Sequence, residues 1–215
     1  MGKFRSIGTL VIDSNILCCN FVNTVSSWKT EENYDYFATY LDFVDWCSKL
    51  KISNPHLLQT LRELAERQPE EALAALNRIK EIRRILQGLI SAVAEKDDDK
   101  KQIFLPATNL LIVDAFSRQR LQFAEDKFFL DHIEASGDLI FPVWKVLHSL
   151  VNLLTQHSLE RVKQCPKCGW VFLDETRNGS RKWCNPKYCG TSDKMKRYNK
   201  KKSGKSSENK DGSKE

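Results

Sequence analysis

Apolar positions recur at helical spacing over most of the chain, and the breaks fall at residues that cap or start helices. A short extended segment around Leu10, Val11 and Ile12 comes first. Asp13 and Ser14 can then cap a helix whose stripe is Leu17, Phe21 and Val25. Asn33 can cap a second, with Phe37, Tyr40, Leu41, Val44 and Cys47 on one face. Asn54-Pro55 opens a third, because proline suits the first helical position. Pro69 opens a long fourth, whose stripe runs from Leu73 through Leu76, Ile79, Ile82, Leu86 and Leu89 to Val93 and closes in the charged run 97–101. Pro106 predicts the start of another helix, ending near Arg118.

The period then changes. Residues 121–123 and 128–133 alternate around Glu125-Asp126, which predicts a β-hairpin. Gly137-Asp138 leads into an apolar helix reaching Leu154, with Pro142 in its first turn, where amides have no intrahelical partner. Residues 159–164 read as extended. The predicted fold is a mainly α-helical domain with a small hairpin, an α+β body over residues 1–160.

Charge divides the chain at the same place. Residues 161–215 hold 16 of the 34 Lys and Arg but 6 of the 28 Asp and Glu, a net +10 against −4 for the rest. A basic end on an acidic body is commonly presented to an anion, most often nucleic acid. The longest apolar run, residues 72–76, is far short of the roughly 20 residues that span a bilayer. The start of the chain lacks the apolar core of a secretion signal, so a cytoplasmic protein without membrane attachment is expected. Residues 203–215 contain no apolar side chain and are expected to be a disordered basic tail.

Four of the seven cysteines fall in the spacing Cys165-x2-Cys168-x15-Cys184-x4-Cys189. Two thiolates from a tight C-x2-C knuckle and two more brought back by the intervening residues meet the tetrahedral demand of zinc. The halves of a hairpin would be residues 169–174 and 181–184, turned at Asn178-Gly179, with a helix starting near Cys189: a treble-clef-like zinc finger over residues 161–202. Four thiolates close the shell, so one structural Zn2+ is expected and no enzymatic role. A remote alternative is a zinc deaminase, since His132-Ile133-Glu134 precedes Cys165-x2-Cys168, but Gln164 stands where that signature has proline.

Beyond the last cysteine, Lys194, Lys196, Arg197, Lys200 and Lys201 cluster on a predicted helix, with Arg177, Arg181 and Lys182 before it. These residues are the candidate phosphate-backbone contacts to DNA. Lysine dominates, which favours backbone affinity over base readout. An adaptor docking this surface on an acidic or RNA-protein partner is the alternative from another class.

Residues 165–174, 177–184 and Cys189-Gly190 resemble the CGNR zinc finger, and Leu17-Cys18-Cys19-Asn20-Phe21-Val22-Asn23-Thr24 with Trp46 resembles the opening of the ABATE domain that precedes this finger in bacterial proteins. The resemblance implies a stress-linked transcription regulator with DNA binding assigned to the finger. Where the family pattern reads Cys-Gly-Asn-Arg, this chain has Cys189-Gly190-Thr191-Ser192.

Asn20, Asn23 and Thr24 form a polar patch on an apolar helix. They could line a pocket for a small-molecule effector, making the body a sensor, or hydrogen-bond neighbouring backbone within the core. The stripe from Leu73 to Val93 serves either as a homodimer seam or as core packing.

Overall fold

The computed structural model describes residues 5–132, 137–191 and 195. Six helices, α1 (Leu17–Val22), α2 (Tyr40–Lys49), α3 (Pro55–Arg67), α4 (Pro69–Glu95), α5 (Asp98–Ser117) and α6 (Phe141–Gln156), are interrupted by the hairpin β1 (Gln119–Ala124) and β2 (Lys127–His132). A second two-stranded sheet, β3 (Val162–Gln164) and β4 (Val171–Leu173), follows α6. The architecture is α+β, as the hydrophobic pattern predicts.

α4 is the hub: α1, α2, α3, α5 and the β3–β4 sheet all pack on it. Its stripe of Leu76, Ile79, Ile82, Leu86, Leu89 and Ile90 is buried in the main core, which accounts for the predicted seam, while Leu73 is largely exposed. Trp46, Phe21, Phe37 and Phe43 build an aromatic cluster beside it.

Local rules decide where the elements begin. Asn54 accepts from the Leu57 amide and Pro55 occupies the first turn of α3, as predicted. The second helix instead starts at Tyr40. Thr39 and Asp42 form a capping box there, and a reciprocal pair of caps outcompetes the single Asn33. In α1 the cap position is Ile16, and Val25 lies outside the helix in a bridge to Asp35.

The run 97–101 does not end a helix but starts one. Lys96 turns left-handed (φ 58°), Asp97 caps α5 through the Lys100 amide, and Asp98 and Asp99 fill its first turn, where acidic charge complements the helix dipole. Pro106 therefore sits inside α5 rather than at its start.

The β1–β2 hairpin matches its prediction, with Glu125 and Asp126 both left-handed (φ 49° and 57°) as a two-residue type I′ turn requires.

Candidate metal centre

The finger begins inside the main core rather than beside it. Val162, Val171 and Leu173 from β3 and β4 are buried with the body's helices. β3 pairs with β4 in the register Val162↔Leu173, Lys163↔Phe172 and Gln164↔Val171, and the Cys165-x2-Cys168 knuckle is the turn between them. This corrects the expected hairpin. Residues 181–184 are not a strand, because β4 takes β3 as its partner. Asn178-Gly179 does turn the chain, with Gly179 at φ 58°, but a side-chain node closes the loop instead of a ladder. That node is Asp174, fully buried, which accepts from Lys163 Nζ (2.6 Å), Thr176 Oγ1 (2.6 Å) and the Thr176 and Arg181 amides (3.0 and 2.9 Å). Burial pushes its carboxyl up, but these donors outweigh it and hold the group well below the ordinary carboxylate range.

The knuckle is closed by Gly169 N donating to Cys165 O (2.9 Å) and Cys165 N to Trp170 O (2.7 Å). Gly169 is left-handed (φ 77°), and a Cβ there would meet Trp28, whose amide donates to Cys168 O (2.7 Å). Glycine thus serves both the turn and the close approach of the N-terminal body. On the other side, Asn185 caps the helical turn Pro186–Gly190 by accepting from the Lys187 and Tyr188 amides (2.9 and 3.2 Å) and donates to Asp13 Oδ1 (2.9 Å). That turn delivers Cys189.

All four sulfurs lie within 4.8 Å of one another, with Cys168–Cys184 at 3.5 Å, Cys184–Cys189 at 3.6 Å and Cys168–Cys189 at 3.8 Å. A tetrahedral thiolate shell with bonds of about 2.3 Å has sulfur–sulfur edges of about 3.8 Å, so the donor set fits Zn2+. So close together, the four thiols oppose one another's ionisation: their mutual contacts pull Cys165 and Cys189 down and push Cys168 and Cys184 up. A divalent ion removes that conflict, because each thiolate then binds charge instead of opposing it. Cys165, Cys168, Cys184 and Cys189 form one structural zinc site. When bound, the ion cross-links the knuckle to the Pro186–Gly190 turn.

His132 is not part of this group. Among the described residues, the cysteine quartet is the one cluster of three or more potential ligands this close. His132 is instead buried edge-on against Phe141 and His148 at the foot of the β1–β2 hairpin, where burial and then His148 lower its pKa. Its proposed companion Glu134 lies outside the described residues.

The polar patch on α1 makes internal hydrogen bonds. Asn23 pairs with both backbone groups of Val171, donating to its carbonyl (2.9 Å) and accepting from its amide (3.0 Å), and so holds β4 to the end of α1. Thr24 donates to Phe21 O and accepts from Arg83, and Asn20 donates to Ser14 O. None of the three lines the cavity of about 810 Å3 between the N-terminal segment and the zinc knuckle, which is walled by Arg5, Asp13, Tyr36, Lys167, Trp170 and Tyr188.

Of the candidate DNA contacts, Arg177 and Lys182 are exposed. Arg181 is spent inside the finger: it stacks on Phe172 (4.4 Å) and donates to the carbonyls of Trp183, Cys184 and Asp13. Lys194, Lys196, Arg197, Lys200 and Lys201 lie outside the described residues, as do Ser192 and the tail 203–215. The Thr191 hydroxyl reaches back to Pro186 O (3.5 Å), and the cap of this turn is Asn185. Sequence reasoning missed Trp28, Asp13 and Asn185 as supports of the site, because each acts across a long sequence separation with no local signature.

No curated protein matches the chain. Family models do. Residues 161–202 match "CGNR zinc finger", and residues 15–157 match "ABATE: Putative stress-induced transcription regulator". With its body built around α4 and the finger's sheet packed on that helix, the chain belongs to the ABATE family and carries a CGNR zinc finger at its C-terminal side.

Proposed function

We propose that the protein is a cytoplasmic DNA-binding transcription regulator with no catalytic role, in which the zinc site shapes a finger that presents cationic side chains to the phosphate backbone. One observation carries this reading: a closed four-cysteine site is followed directly by Lys194, Lys196, Arg197, Lys200 and Lys201, with Arg177 and Lys182 on the finger before it. The family description as a transcription regulator supports it. Arg181 takes a positioning role, since its guanidinium braces Cys184 rather than facing outward. The body would act as the sensing half, and the cavity beside the knuckle gives an effector a route to the finger.

Selection of bound DNA from a random pool tests the reading, with the chain as it stands and with Lys196, Arg197 and Lys200 changed to Ala. Binding should weaken steeply with salt, and the triple variant should lower the slope of log K against log salt by about 2–3, roughly 0.9 for each phosphate no longer neutralised. DNA retention that is absent at low salt sinks the proposal and leaves the protein-docking adaptor.

A further inference from the structure

The β1–β2 hairpin exposes apolar side chains on a sheet too small to be stable by itself. Leu121 (66% exposed) pairs with Leu130, and Phe123 with Phe128 (70% exposed), on one face; Phe129 lies on the other. α5, which runs almost directly into β1, adds Ile103, Leu110, Val113 and Phe116. Together these nine side chains expose on the order of 1,000 Å2, against the ~800 Å2 per partner of a standard interface.

The register says what covers them. Because the turn has two residues, Ala124 and Lys127 close the hairpin as a hydrogen-bonded pair, and bonding alternates from there. The backbone groups of Phe128 and Leu130 therefore point to the outer edge of β2, which has no strand partner among the described residues. At His132 the edge ends, since its amide is taken by Asp131 Oδ1 (2.8 Å).

We propose that this edge pairs with β2 of a second copy of the chain, antiparallel about a two-fold axis at Phe129. The sequence is self-complementary in that register. Phe128 faces Leu130 of the other copy as the hydrogen-bonded pair, Phe129 faces its counterpart, and Lys127 faces Asp131 at both ends. Any other two-fold register along β2 separates these opposite charges. The pairing creates a four-stranded sheet and sets the tip of each hairpin beside the base of the other, near Phe116. Exposed apolar residues of the hairpin and of α5 then share one interface. This inference does not depend on DNA binding.

Charge exchange at two exposed positions tests it, read by sedimentation of the full chain with circular dichroism as a folding control. The unaltered chain should be a dimer. Lys127→Asp and Asp131→Lys each place like charges opposite one another and should weaken dimerisation at least about tenfold. Mixing the two variants restores both pairs, so they should form a heterodimer, and the chain carrying both exchanges should dimerise like the original. A monomeric unaltered chain overturns the proposal, as does a dimer that neither single exchange weakens or a mixture that does not recover.

Discussion

At the scale of single residues, the unexpected centre of the body is Arg83. Its guanidinium is almost wholly buried within α4, donating to Asp35 Oδ1 and Oδ2 (2.8 and 2.6 Å) and Thr24 Oγ1 (2.8 Å) and lying over Phe37 (5.3 Å). Periodicity alone marks Arg83 as an ordinary charged helix residue, because its partners come from segments more than 45 residues away. Asn23 was more legible. A polar side chain at the end of an apolar stripe announces a partner, though not that the partner is the backbone of β4. Burial pushes the Asp35 carboxyl up, but the Arg83 guanidinium, the Phe37 amide and Lys80 together hold it below its ordinary 3.8. The folded chain therefore binds a proton there less readily than the unfolded one. The resulting stabilisation is complete above 3.8 and is lost as pH falls below that value toward the folded one. Asp35→Asn leaves Arg83 buried against a neutral partner and should cost about 2–4 kcal/mol near neutral pH, less than a fully buried pair because Asp35 keeps some water. Urea unfolding at several pH values checks both points: the variant's deficit should shrink in acid, and a deficit independent of pH down to the folded pKa contradicts the assignment.

At the scale of elements, caps and turns were readable wherever the signal was local. Asn54-Pro55 and Glu125-Asp126 act as their chemistry demands. Prediction failed where two local signals competed, at Asn33 against the Thr39–Asp42 box and at Pro106 against Asp97. It also failed where the partner was not the nearest in sequence, as with β4 choosing β3. The α4–α5 crossing shows a constraint that periodicity cannot show. A Cβ on Gly88 would lie 2.3–2.6 Å from three carbons at the outer end of the Phe104 ring, so with Phe104 where it is glycine is what lets these helices approach this closely. Two effects oppose each other in Gly88→Ala. Helix propensity favours alanine by about 1 kcal/mol, while overpacking costs roughly 1–3 kcal/mol. The clash should win in the native background, for a net loss of about 1–2 kcal/mol. In a Phe104→Ala background the ring is gone and the same substitution should become stabilising by up to about 1 kcal/mol. A double-mutant cycle from denaturant midpoints measures this, and an unchanged sign in the second background would count against the crossing.

At the scale of the whole molecule, the charge division near residue 161 coincides with the boundary between the two family matches but not with a break in packing. The cysteine spacing made the ligand set legible. It could not show that the finger's sheet completes the body's core, since Val162, Val171 and Leu173 look like any short apolar strand. Four of the ties that cross the boundary are these core residues, the Asn23 clamp on Val171, the Trp28 amide on Cys168, and Gln164 donating to Ser91 of α4 (2.7 Å). Zinc would fix the knuckle that joins β3 to β4, because knuckle geometry and metal binding are one event. Removing the ion should therefore weaken the body as well as the finger. Loosening β3 and β4 partly exposes three apolar side chains worth about 1.5–3 kcal/mol each when fully buried. For a chain of this size each kcal/mol of destabilisation shifts the midpoint by about 2–4 °C, so a chelator should lower the main thermal transition by on the order of 10 °C. Cys184→Ser should do the same without chelator and should abolish the response to it. Calorimetry decides the matter. A body transition that stays in place while a separate small transition disappears would mean that the finger folds on its own and that the four ties contribute little to the body.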